Sequence, residues 1–302
     1  MPLQVTFKGA PLRGQAFAGG EGLFVPDFAA QVGLDLAPLV AACNEPDRFL
    51  SRTLPETMMR GNKLARNKCY VNATGQRNLL ARYQFPGHQW GAMLHARDIE
   101  DEPALHPLMR TLLVDLQFDA DWSDFNHVIL TEYLTGTDNI GWHTDKVTQL
   151  TADSVIADVS LGASRTFLIA HRDHYPSPES LRPAGGGAPR ALNAAEERRL
   201  LAHAEKFAMV HGSAVFLSTR GNEQHVHAVL PEPGAQRRIS IVARNIKETV
   251  PRHVAEKKAA ETAATRERRA AQERQAGPKK KRAKEQEPRQ AAPIKKRAKE
   301  RQ

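Results

Sequence analysis

The chain has 302 residues, 41% of them hydrophobic, which is enough for one sizeable core, and only two cysteines, too few for a disulfide framework. No run approaches the roughly 18 consecutive apolar residues of a membrane span, and the first 30 residues lack the charged start and apolar stretch of a secretory signal, so a soluble cytoplasmic protein is expected. The formal charge of +9 is unevenly spread: residues 251–302 hold 18 Lys and Arg against 7 Asp and Glu, leaving 25 against 27 for the first 250.

Residues 1–60 carry few signals and read as an N-terminal extension, although Asp27 to Cys43 has apolar residues at helical spacing. Residues 61–120 read as a nucleotide-recognition lid followed by bracing helices. From Arg60 to Trp90, the bases Arg60, Lys63, Arg66, Lys68, Arg77 and Arg82 interleave with Tyr70, Tyr83 and Phe85, and Pro103 to Gln117 repeats the helical spacing. An ordinary basic surface over buried aromatics is the alternative for the lid.

Residues 121–250 read as the core, with strands at His127–Tyr133, Ser154–Ser160, Arg165–Ala170, Ser213–Leu217 and Arg238–Arg244, separated by Gly, Asp, Asn and Pro turn signals. Several short strands in series, with few helices, predict an α+β fold with a mainly β core: a double-stranded β-helix or other jelly roll. Pro176 to Pro189 reads as an inserted loop, and Leu192 to His203 as a helix that Asn193 caps. Residues 251–302 contain no Phe, Trp or Tyr, so the whole segment is expected to be a disordered basic tail with nascent helix at Glu256 to Gln275. Lys-Lys-Arg-Ala-Lys-Glu occurs in it at 280–285 and again at 295–300, clustering charge that suits a phosphate backbone.

His143-Thr-Asp145 puts an imidazole and a carboxylate two residues apart, on one side of an extended chain, where both can meet one ion. A distant histidine, His225 or His227, would complete a 2-His-1-carboxylate triad with three open positions on the metal. Arg238, Ser240, Val242 and Arg244 would share one strand face, with Ile239, Ile241 and Ala243 turned to the core. A guanidinium so placed suits a dicarboxylate.

Phe125-Asn126, Thr131-Glu-Tyr133, Asp138-Asn-Ile-Gly-Trp-His-Thr-Asp145, Val159 to Phe167, His227-Ala-Val-Leu-Pro231 and Arg238-x5-Arg244 occur in this order. From about residue 60 to 246 they resemble the successive motifs of the AlkB family of nucleic-acid dealkylases, iron(II)- and 2-oxoglutarate-dependent dioxygenases. The resemblance implies His143, Asp145 and His227 as iron ligands, His227 being preferred to His225 because Ala-Val-Leu-Pro follows it. It places Tyr133, Thr131, Arg238, Ser240 and Arg244 around 2-oxoglutarate, and Tyr70, Tyr83, Phe85 and Trp142 are candidates to stack on a flipped or single-stranded base. With O2 the activity implied is oxidative dealkylation of N-alkylated bases in DNA or RNA, yielding succinate, carbon dioxide and an aldehyde. A protein-directed oxygenase acting on a methylated or hydroxylatable side chain is the alternative. Thr131 and Ser240 stand where the family usually has Asn, and Lys146-Val147 where it often has further acids. A monomer, tethered to nucleic acid by its tail and close to the bacterial nucleoid, is expected.

Overall fold

The computed structural model describes residues 2–49, 58–59, 62–63, 66–83, 94–118, 125–177, 179–182 and 190–275. The strands that build its two main sheets are, in chain order, Gln15–Phe17 (β1), Gly22–Val25 (β2), Asn67–Asn72 (β3), Arg97–Asp98 (β4), His127–Tyr133 (β5), Ile140–His143 (β6), Val155–Gly162 (β7), Arg165–His171 (β8), Glu205–Met209 (β9), Ala214–Ser218 (β10), His225–Val229 (β11) and Arg238–Arg244 (β12). An eight-stranded sheet runs β1-β2-β10-β7-β12-β5-β3-β4, and a four-stranded sheet runs β6-β11-β8-β9. All pairings in both are antiparallel except β3 with β4.

Side-chain alternation decides the layers. Along the eight-stranded sheet, Val128 and Leu130 of β5, Val155, Ala157, Val159 and Leu161 of β7, and Ile239, Ile241 and Ala243 of β12 fall in one core cluster with Phe28, Leu39, Leu105 and Leu108. Those last four come from short helical segments at Phe28–Gln31, Ala37–Ala42, Pro103–Leu105 and His106–Arg110, which therefore brace the sheet's outer face as expected. The alternate residues face inward. Tyr133, Val215 and Leu217 meet Phe167, Ile169, Phe207, Met209 and Val229 of the smaller sheet in a second cluster, so the two sheets close on each other at that end as a double-stranded β-helix.

One buried arginine ties the strand ends together. Arg165 donates to the carbonyls of Asp138 at 2.9 Å, Leu230 at 2.7 Å and Thr135 at 3.3 Å. The turn it grips is tight on its own account: Asp138 Oδ2 accepts from the Leu134 amide at 2.7 Å, and a Cβ at Gly136 would lie 2.0 Å from the Glu232 carbonyl oxygen. The helix at Ala194–His203 begins with a full capping box between Asn193 and Glu196.

Three boundaries differ from expectation. The N-terminal 60 residues are not an appendage, because β1 and β2 extend the eight-stranded sheet beyond β10. Likewise β3, inside the expected lid, is a central partner of β5. Residues 251–275 are not disordered: Thr249–Pro251 pairs with Leu79–Ala81 and a helix spans Arg252–Gln275. The burial of Ala255 with Leu80 and Val250, and an ion pair from Arg252 to Asp98 at 3.0 Å, anchor its start. By contacts the chain separates into residues 1–259 and 260–302, and the tail beyond 275 lies outside the described residues. Both cysteines are free and buried, and burial pushes each thiol up to about 11, as inert core residues require.

Candidate active site

The site begins with an irregular ladder. Ile140 pairs with Val229 and His143 with His227, so three steps along β6 match two along β11. This is a bulge, and it is what sets the two imidazoles opposite each other, since an unbroken ladder would bring Trp142 against His227. Their ring centroids lie 4.3 Å apart, and His227 stacks on Phe167 at 5.6 Å. His143 Nδ1 donates to the Gly141 carbonyl at 2.8 Å, which leaves Nε2 with its lone pair free for a metal.

Asp145 lies beyond the end of β6 and is held from a different element. Asn222, fully buried in the helix Thr219–Gln224, accepts the Asp145 backbone N–H at 2.9 Å and donates to the Asp145 carbonyl at 3.1 Å. The carboxylate is engaged mainly on one oxygen: Arg244 Nε and Nη2 both reach Oδ2 at 2.8 Å, while the Tyr83 hydroxyl donates to Oδ1 at 3.3 Å. Ligand atoms of His143, Asp145 and His227 all fall within 4.8 Å of one another. His225 stays apart, its Nδ1 bonded to the Gly221 carbonyl at 2.9 Å and its ring against His171.

Protonation favours metal binding. Burial, then the neighbouring His227, pushes His143 down to about 3, and burial likewise lowers His227, so both are neutral imidazoles near pH 7. Burial acts to raise Asp145, but Arg244 and the two histidines hold it well below the usual carboxylate range. Two neutral nitrogens and one anionic oxygen form the facial triad suited to iron(II).

The three donors open onto a cavity of about 480 Å³. Tyr70, Tyr83 and Trp142 line it with Arg66 and Lys68, and so do Thr131, Tyr133, Asp158, Ser240 and Arg244. Arg238 does not reach its surface. It is fully buried, with its guanidinium 5.5 Å from the Tyr133 ring centroid and its Nε donating to Ser160 Oγ at 2.9 Å. Its Nη1 and Nη2 have no hydrogen-bond partner among the described residues. Buried guanidinium N–H groups are rarely left so, and a carboxylate bound beside Tyr133 would satisfy both. The family's iron and 2-oxoglutarate therefore fit the residues present.

Tyr70, Tyr83, Thr131, Tyr133, Trp142, His143, Asp145, His227, Ser240 and Arg244 line one cavity and Arg238 lies beside it, whereas His225 stands apart and Phe85 lies outside the described residues. Four contributors had not been assigned a place there. Arg66 and Lys68 precede Tyr70 at alternate positions, and the parity of β3 could have shown it. Asp158 shares the inward face of β7, a signal visible only as a polar residue in an apolar strand. Asn222 is separated from Asp145 by 77 positions and left no sequence signal.

A double-stranded β-helix carrying a His-x-Asp and a distant His at the mouth of such a cavity defines a class, the non-haem iron oxygenases. The model of the 2OG-Fe(II) oxygenase superfamily matches residues 39–244, and the chain belongs to that superfamily. Within it the chain is AlkB-like. It is 42% identical over 60 residues to the human DNA oxidative demethylase ALKBH2, covering 20% of this chain and 23% of the relative. It is 32% identical over 81 residues to the human alpha-ketoglutarate-dependent dioxygenase alkB homolog 3, covering 27% of each. The chain thus spans about a quarter of the length of these relatives. Among solved structures, that of OsALKBH1 superposes with a TM-score of 0.43 at 12% identity, over 74% of this chain and 98% of the other.

Proposed function

We propose that this chain is an iron(II)- and 2-oxoglutarate-dependent dioxygenase that oxidatively dealkylates N-alkylated bases in DNA or RNA. The observation that carries the reading is the convergence of three metal donors within 4.8 Å at the wall of a cavity with aromatic and basic linings. Iron at His143, Asp145 and His227, with 2-oxoglutarate and O2, supplies the oxidising power. The chain's own residues do the rest. Arg238, with Tyr133, Thr131, Ser240 and Arg244 around it, receives the cosubstrate, and its burial makes the ion pair strong. Arg244 bonds Asp145 and fixes the direction of its carboxylate.

Tyr70, Tyr83 and Trp142 bring aromatic rings to the cavity wall where a planar base would enter, and Arg66 brings a guanidinium, whereas burial, then Arg66 and Arg244, pushes the Lys68 amine well below its ordinary value. Such an opening admits a base only from a single strand or after flipping. The name of the human relative, DNA oxidative demethylase, supports a nucleic-acid substrate. We further place the enzyme in the cytoplasm as a monomer, with its basic tail held to phosphate backbones.

The test is release of succinate and formaldehyde with iron(II), 2-oxoglutarate and O2, on methylated single-stranded DNA, methylated RNA, their unmethylated controls and no polymer. Formaldehyde that depends on a methylated polymer is expected, and Asp145→Ala should abolish it. Turnover on a methylated peptide with none on either polymer would overturn the substrate class in favour of a protein-directed oxygenase.

A further inference from the structure

Arg238 has one counter-charge already. Asp158 Oδ2 lies 3.6 Å from its Nη2, and Asp158 Oδ1 accepts the Ser240 hydroxyl at 2.6 Å. Asp158 lines the cavity, and its side chain is 13% exposed. A cosubstrate carboxylate reaching the N–H groups of Arg238 would therefore stand beside a second carboxylate. Two anions sharing one partly dehydrated guanidinium repel each other, and the usual resolution is that one of them holds a proton. The charged or titratable groups facing Asp158 are Arg238 and Arg244 from β12, Tyr133 from β5 and Asp145 from the ligand segment, while β10 contributes only Val215 and Leu217 to the cavity. Burial, opposed by Arg238 and by the Ser240 hydrogen bond, raises the Asp158 pKa above its ordinary value.

We infer, on the reading of this cavity as a 2-oxoglutarate site, that Asp158 sets cosubstrate affinity: the distal carboxylate takes the Arg238 N–H groups only when Asp158 is protonated. Binding then draws one proton from the buffer. The protonated Asp158 changes from a competing acceptor into a donor to the incoming carboxylate, while Oδ1 still accepts from Ser240.

The experiment titrates 2-oxoglutarate calorimetrically into the full chain saturated with Mn(II), which reads binding without turnover. It is run in two buffers of different ionisation enthalpy from pH 6 to 8. For the wild type, the expected result is an uptake approaching one proton where Asp158 starts ionised, with affinity falling by up to about tenfold per pH unit. Asp158→Asn, isosteric and uncharged, should show no uptake, keep one affinity from pH 6 to 8, and bind more tightly than wild type at pH 8 by the whole factor that wild-type affinity has lost there. Asp158→Ser should behave alike, and the wild-type buffer comparison requires no variant. Wild-type binding without proton uptake, and unchanged in Asp158→Asn, overturns the role of Asp158 and leaves the cosubstrate site standing. Absence of binding to the wild type at every pH overturns the cosubstrate reading and this inference with it.

Discussion

Asn222→Ala tests whether the third donor is positioned from outside its own strand. The substitution removes an acceptor 2.9 Å from the Asp145 N–H and a donor 3.1 Å from the Asp145 carbonyl, both in a fully buried setting. Each buried backbone group left without a partner costs about 1–3 kcal/mol, so the pair predicts a loss of about 2–6 kcal/mol in stability. Loss of a residue that orients a metal ligand typically weakens metal binding by about 10- to 100-fold. The assay has two arms: Mn(II) affinity from titration, and denaturant unfolding of the metal-free chain. Asn222→Asp keeps the acceptor but sets a carboxylate oxygen against the Asp145 carbonyl in a fully buried place, and should be no milder than Asn222→Ala. Metal affinity equal to wild type, in a variant that unfolds at lower denaturant, would refute the reasoning, because Asn222 would then be an ordinary core residue.

Three further outcomes follow from particular contacts. Arg238→Met removes the buried guanidinium, and 2-oxoglutarate binding to the Mn(II)-loaded chain should weaken by about 100-fold or more, the worth of a charge-assisted bidentate pair; a smaller change would point to another anchor. His127 is buried against Tyr83 at 4.9 Å, and burial, then Arg244 and Lys68, pushes it down to about 3. Its folded pKa is thus below the unfolded value of about 6.5, so its contribution to stability is complete above that value and is lost as pH falls toward 3, at up to about 1.4 kcal/mol per unit. His127→Phe should flatten the wild-type decline in unfolding free energy between pH 6 and 4. Truncation after Gln275 should leave turnover on a short methylated oligonucleotide intact and reduce the salt dependence of polymer binding, whereas truncation after Val250 should also lower stability by removing Ala255 and Arg252. An unchanged salt slope in the shorter deletion would retire the tether.

The strands that match expectation most closely, β5 and β12, are those whose two faces differ most in chemistry. Ile239, Ile241 and Ala243 pack in the outer core, while of the alternate residues Ser240 and Arg244 line the cavity and Arg238 lies buried beside it. By contrast, β6 is absent from the expected strands, because Ile-Gly-Trp-His is short and interrupted by a bulge. The strands β1 and β2 follow glycines and carry too few residues for a period to show. The helix from Arg252 has helix-forming composition but little apolar surface, so composition alone reads it as unstructured. The metal donors were legible because His-x-Asp is local and the second imidazole stood near a strand. The support of Asp145 by Asn222 was not, nor was the pairing of Asp158 with Arg238, since they act across 77 and 80 positions, distances that only tertiary pairing closes.

The bulge in β6 also bears on where this chain can change length. Between Tyr133 and His143 the Asp138 turn is bonded to itself, gripped by Arg165 and pressed against the Glu232 carbonyl, and the following strand carries the extra residue that brings His143 opposite His227. A side chain at Gly141 would touch nothing within 4 Å, but deleting the residue would remove the carbonyl that accepts from His143 Nδ1 at 2.8 Å. It would also make two steps match two, so His143 would keep its place opposite His227 but in a regular ladder without that support. A change of length in this interval therefore disturbs either the gripped turn or the hydrogen bond that orients His143, and chain-length drift among relatives should collect elsewhere, for instance between Pro176 and Arg190. The spacing from Tyr133 to His143 acts as a ruler, and its units are backbone peptides rather than side chains.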